Sequence, residues 1–121
     1  MVARFSPEWI EALDDAARGL EGPPSAFVIQ QVVVDGGTEV AWYLDLEPGA
    51  VRVRAGLADH PDIVFNQDRE TAEAVAGGEL SAAAALTSGR LTVRGATARL
   101  TEHRDLLARL DAAFQQVPAD A

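Results

Sequence analysis

The chain contains no cysteine, and none of its basic residues is a lysine. The first absence excludes a disulfide framework, a thiolate zinc site and a cysteine nucleophile. The second excludes Schiff-base lysine chemistry and a Walker-type phosphate lysine. Histidine is nearly absent too: His60 and His103 are the only two. Positive charge is scarce, with 10 basic residues, all arginine, against 19 acidic ones and a formal net charge of −9. Nucleic-acid binding rests on a basic footprint that neutralises phosphates, and an anionic membrane surface repels such a chain. No segment approaches the roughly 20 apolar residues of a membrane span. The opening MVARFSPEW lacks a signal-peptide pattern, and the closing PADA carries no retention or peroxisomal address. The expectation is a soluble cytoplasmic protein with no nucleic-acid partner and no stable membrane insertion. The arginine and alanine bias suggests a GC-rich coding genome.

What is present is ordinary globular material: 121 residues, 48% apolar and 24% charged, enough for one hydrophobic core. One domain over 1–121 is expected, with its core at about 6–116. Ser6 is a good N-cap and Pro7 fits a first helical position. Trp9, Leu13, Ala16 and Leu20 recur at helical spacing, widened by Ile10 and Ala17, until Gly22-Pro23-Pro24 stops the pattern. Ala26 to Val34 reads as a well-covered strand, apolar on both faces, so its register is ambiguous and either Gln30 or Gln31 faces inward. Asp35-Gly36-Gly37 is a hairpin signal. Val40, Trp42, Leu44 and Leu46 then alternate with Ala41, Tyr43, Asp45 and Glu47, as in a half-buried strand. Val51, Val53 and Ala55 alternate with Arg52 and Arg54 in a third strand, and Asp62 to Gln67 makes a fourth.

The period then changes to 3.6. Asp68 caps a helix that ends at Gly77-Gly78. An alanine-rich helix spans Leu80 to Ser88, with Gly89 as its C′ residue. Arg90 to Arg94 is a fifth strand. Thr97 to Gln116 reads as one long helix with Leu100, His103, Leu107, Leu110 and Phe114 on a stripe, followed by a frayed tail. The expected class is α+β, in the order α-β-β-β-β-α-α-β-α. A mainly antiparallel five-stranded sheet has one apolar face, covered by four helices.

The catalytic inventory is thin. His60, in Asp59-His60-Pro61-Asp62, reads as a solvated loop histidine. His103 falls on an apolar stripe and either faces a cavity or is a half-buried, satisfied ring. The acidic pairs Asp14-Asp15, Glu70 with Glu73, and Glu102 with Asp105 have arginine neighbours and read as ion-paired surface. The glycine pairs lack the phosphate-loop pattern, and no serine sits in a nucleophile elbow. No catalytic residue, metal ligand or cofactor is assigned. The small residues of the two middle helices, Ala72, Ala74, Ala76 and Ala82 to Ala85, admit two readings. They signify close packing on the sheet, or a space left for an apolar ligand.

Pro61-Asp62-Ile63-Val64-Phe65, Glu70 through Gly78-Glu79-Leu80, and Ser88-Gly89-Arg90-Leu91-Thr92-Val93-Arg94-Gly95 resemble the sterol carrier protein-2 family of lipid-binding domains. Ala41-Trp42-Tyr43-Leu44-Asp45-Leu46 and the turn at Gly49 are similar as well. The resemblance covers roughly residues 24 to 115 and points to a stand-alone bacterial member. It implies an apolar tunnel between sheet and helices that binds fatty acyl chains, sterols or related lipids. By position, its lining would include Trp42 and Leu44, Phe65, and Leu91 with Val93 from the strands. Val75, Leu80 and Leu86 would come from the middle helices, and Leu100, His103 and Leu107 from the last. Glu79 stands where family members often carry a basic residue, and the proline that commonly follows is absent. These departures and the acidic charge argue against inter-membrane transfer more than against ligand binding.

The resulting expectation is a non-catalytic carrier of a small hydrophobic molecule. One alternative is a small isomerase or cyclase with His103 as its acid/base group, or Asp45, which the alternation puts on the wet face. The other is a protein-interaction module with a solid core. A homodimer is compatible with the sequence.

Overall fold

The computed structural model describes residues 2–117 and 119–120. A two-residue strand β1 (Val2–Ala3) precedes helix α1 (Pro7–Ala17). The Ser6 side chain accepts from the Trp9 amide, and Pro7 occupies the first turn, as their types dictate. Strands β2 (Phe27–Asp35), β3 (Thr38–Glu47) and β4 (Ala50–Ala55) follow as an antiparallel meander. Gly36 and Gly49 take the positive φ that the two turns require. β5 (Ile63–Asp68) then returns beside β2 and runs parallel to it. Helices α2 (Arg69–Ala76) and α3 (Ala82–Thr87) lead to β6 (Leu91–Gly95), antiparallel to β5. The sheet order is β4-β3-β2-β5-β6, the mainly antiparallel five-stranded α+β arrangement expected.

The parallel pair requires the segment after β4 to cross two strands. Gln30 and Asp62 hold that crossing. The Gln30 amide donates to the carbonyls of Trp42 and Gly56 and accepts from the Ala58 amide. The Val28 amide donates to the Asp62 carboxylate at 2.7 Å, and the Asp62 amide returns a bond to the Val28 carbonyl. Gln30 is thereby buried on the outer face of the sheet, with its polar groups satisfied by the crossing chain. Its neighbour Gln31 takes the opposite face, which settles the ambiguous register of the first strand.

The inner face follows from the pairing. Phe27, Ile29, Gln31 and Val33 lie opposite Leu46, Leu44, Trp42 and Val40. Ile63, Phe65 and Gln67 continue the face towards β6. The helices cover this side. α1 packs on it through Trp9, Ile10, Leu13 and Ala17, all buried.

The C-terminal region departs from the expected single helix, so the described residues form five helices where four were expected. α4 (Ala98–Glu102) ends at His103, whose φ of −115° and ψ of 30° leave the helical region, and α5 (Arg104–Gln115) starts afresh. The break lets the His103 ring stack on Phe27, with centroids 4.9 Å apart and planes 20° apart. Arg99 lies over the same Phe27 ring at 4.6 Å and donates to the Ser25 carbonyl. One aromatic on β2 thus anchors both sides of the break. The tail differs too: Ala119–Asp120 forms a short strand, β7, parallel to β1. Pro118 and Ala121 lie outside the described residues.

Candidate functional site

The helices do not close down on the sheet everywhere. Between them lies an open-mouthed pocket of about 530 Å³, a volume typical of small-molecule sites. Its floor is the inner face of the sheet: Ile29, Gln31, Trp42, Leu44, Phe65 and Gln67, with Leu91 at the β6 end. One wall is the N-terminal segment, through Phe5, Trp9 and Leu13. The opposite wall is α2 and α3, contributing Val75 and the small side chains of Ala72, Ala76, Ala82 and Ala83. The roof is Leu100 from α4 with Leu107, Leu110 and Phe114 from α5.

Three aromatic rings make the rigid corner. Phe5 lies 5.1 Å from Trp9 and 5.8 Å from Trp42, and the two tryptophans meet edge to face at 5.2 Å. Phe5 reaches this position with a φ of +70°, a left-handed conformation that a bulky residue adopts only when its surroundings impose it. Arg69 supplies part of that support. Its guanidinium lies 5.5 Å from the Phe5 ring centroid. It also donates to Glu73 at 3.0 Å and to Asp35 at 3.1 Å. The start of α2, the β2–β3 turn and the N-terminal wall are joined through one side chain.

Polar groups in the pocket are few. Gln67 Nε2 donates to Gln31 Oε1 at 3.0 Å on the floor. Arg4, Arg104, Asp111 and Gln115 complete the polar lining. The Gln115 amide donates to Asp111 at 3.3 Å. Loss of water around the Asp111 carboxyl pushes its pKa up. Among the described residues, no three histidine or acidic side chains converge as a metal site would require.

Of the side chains proposed from sequence, Trp42, Leu44, Phe65, Val75, Leu91, Leu100 and Leu107 are brought together around this space. Leu80, Leu86, Val93 and His103 are not part of its lining. Val93 packs on the core beside Phe65, its partner on β5. His103 borders a separate, smaller hollow of about 180 Å³, with Glu21, Glu102 and Asp105. The helix break causes this. A continuous helix would carry His103 on the stripe of Leu100 and Leu107; the interruption turns it to Phe27. His103, the imidazole named for the isomerase alternative, thus lies outside the pocket lining.

Sequence reasoning missed Phe5 as a wall residue and read Trp9 and Leu13 only as a helix stripe. It left Gln30 and Gln31 as alternatives for the inward position and missed Gln67, the partner of Gln31. The strand pairing of Gln31 with Trp42 carries that information, and pairing is not local in sequence.

Residues 9–108 match the SCP-2 sterol transfer family. The chain belongs to this family. Among solved structures, a crystal structure of sterol carrier protein 2 superposes with a TM-score of 0.76 at 22% identity, covering 95% of this chain and 99% of that one. A conserved hypothetical protein from Thermus thermophilus, solved in solution, gives 0.69 at 26% identity over 99% and 93% of the two chains. Sterol Carrier Protein-2 from Aedes aegypti, solved in complex with the C16 fatty acid palmitate, gives 0.63 at 15% identity over 89% and 98%. No curated protein matches the chain. Among the described residues of this SCP-2 family member, no helix is long and apolar enough to cross a membrane.

Proposed function

We propose that the pocket holds one lipid molecule and that the protein carries it without transforming it. The observation that carries this reading is the pocket itself: about 530 Å³, bounded by apolar strands and by helices that line it with alanines. Of the two readings that the small residues admit, the pocket supports unfilled space. Membership of the SCP-2 sterol transfer family and the palmitate held by the Aedes aegypti relative support the same class of ligand.

The tunnel implied by the resemblance is read as this pocket. Trp42, Leu44, Phe65, Val75, Leu91, Leu100 and Leu107 supply contact area, not chemistry. At about 25 cal/mol per Å² of apolar surface removed from water, a buried acyl chain gains several kcal/mol from such walls. The net charge of −9 favours a carrier working in the aqueous phase over one that docks on anionic bilayers.

Trp9 and Trp42 are the only tryptophans of the chain, and both line the pocket. Titration with a long-chain lipid below its micellar concentration is expected to shift their fluorescence and saturate at one equivalent. Emission unchanged across a panel of acyl chains and sterols overturns the reading.

A further inference from the structure

Resting on the lipid-binding reading, we infer that residues 2–6 form a latch on the pocket and that Arg69 is its catch. Lipid enters and leaves as the Phe5 ring swings away from the two tryptophans. Phe5 is buried and lines the pocket. The Arg69 guanidinium lies over the same ring, 5.5 Å from its centroid. Arg69 does not line the pocket, and its side chain is 39% exposed. Phe5 thus stands between the pocket and a cation that faces water.

The segment that carries Phe5 is lightly held. β1 pairs with β7 and joins no strand of the five-stranded sheet. The Ser6 amide and hydroxyl both donate to the Ala3 carbonyl, a bonding that stays inside the segment. The pocket floor and the opposite wall are built from sheet strands and helices. This wall instead hangs between the N-cap of α1 and a pairing of two residues with the chain's other end. Residues 2–6 and β7 both lie outside the span 9–108 that matches the family, so the latch is a feature of this chain's own ends.

The Phe5 backbone gives the segment two states. A φ of +70° is costly for a bulky residue and persists only while its surroundings impose it. Here the surroundings are Trp9 and Trp42 within the pocket and Arg69 at its rim. Rotation to an ordinary negative φ relieves the backbone and withdraws the ring, so strain is exchanged for contact in one step. Arg69 tips that balance towards the closed state. Its bonds to Glu73 and Asp35 fix the guanidinium over the ring, and a cation so placed is attracted to the ring face. Because Arg69 is outside the lining, it favours closure equally with and without lipid. It therefore slows entry and exit alike and leaves the affinity unchanged.

The test is stopped-flow binding and displacement of a dansyl-labelled undecanoic acid, read by energy transfer from Trp9 and Trp42, on the wild type, Arg69→Gln and Arg69→Lys. Arg69→Gln is expected to raise the entry and exit rates together by about fivefold, the scale of one cation–ring contact, with an affinity within about twofold of the wild type. An unchanged affinity also shows that the variant is folded around its pocket. Arg69→Lys puts a cation back beside the ring and is expected to return both rates to within about twofold of the wild type. Wild-type rates in Arg69→Gln, a faster exit with unchanged entry, or Arg69→Lys as fast as Arg69→Gln each overturn this inference and leave the lipid-binding reading intact. A wild type that does not bind the probe overturns both.

Discussion

Asp14 on α1 and Arg52 on β4 form a two-pronged ion pair that fastens the first helix to the edge of the sheet. Arg52 Nε and Nη2 donate to the two carboxylate oxygens of Asp14 at 3.0 Å each, and the Val53 amide donates to Oδ1 at 2.8 Å. Arg18 adds a longer contact of 3.4 Å from the next turn of the helix. Asp14 is buried, with its side chain 11% exposed. The Arg52 hydrogen bonds, helped by the Val53 amide, hold its pKa down at about 2 against an ordinary 3.8. The lowered value means that the folded state favours the carboxylate. The contribution is full above about pH 4 and is lost as pH falls through about 2.

Asp14→Ala is therefore expected to destabilise the protein by about 2 kcal/mol at neutral pH. The difference from wild type should shrink towards pH 2. Urea unfolding at pH 7, 4 and 2.5 checks this. A destabilisation independent of pH would assign the effect to lost packing instead of charge.

Much of this architecture is legible from local sequence, and the exceptions share a cause. Ser6, Asp68 and the alternation of Val40, Trp42, Leu44 and Leu46 mark their elements because caps and strand faces are set by neighbours in the chain. The role of Asp14 is not legible that way: Asp14-Asp15 reads as surface, and only the packing of α1 on β4 brings Arg52 to it. The same holds for the pocket. Trp42, Phe65 and Leu107 carry their inward direction in their periodicity. Gln31 and Gln67 become inner-face partners only once β5 has been laid parallel to β2. His103 fails for a third reason, a break inside an otherwise unbroken helical pattern. No residue near it announces the break; Phe27 and Arg99, which surround the turn, come from contacts made after folding.

His103 supplies the next expectation. It stacks on Phe27 and lies outside the pocket lining. His103→Ala should cost about 1 kcal/mol of stability and leave lipid affinity within about twofold, a change below about 0.5 kcal/mol. Thermal melts and tryptophan titration on the same preparation measure both. A large loss of binding at unchanged stability would return His103 to the site.

Ala76 lines the α2 wall of the pocket. Ala76→Leu is expected to occupy ligand space, weakening lipid binding by about tenfold or more, about 1.4 kcal/mol, with a melting temperature equal to or above that of the wild type. If affinity is unchanged, the ligand does not reach this wall.

Gly22 passes directly over the β3–β4 turn. A Cβ there would run into the Glu47 carbonyl and come within 2.8 Å of the Ala50 oxygen. Both obstacles are backbone and cannot swing aside. Gly22→Ala is expected to destabilise by about 3 kcal/mol, measurable by urea unfolding. A neutral result would show that the connector after α1 is free to move away from the sheet.

The most direct measurement is native mass spectrometry of the purified protein, before and after incubation with a long-chain alcohol and with palmitate, followed by solvent extraction of what dissociates. A single adduct per chain that disappears on denaturation, and that Ala76→Leu diminishes, is the expected result. A bare protein mass under every condition, with no uptake of either lipid, would contradict the reading of the pocket as a lipid site.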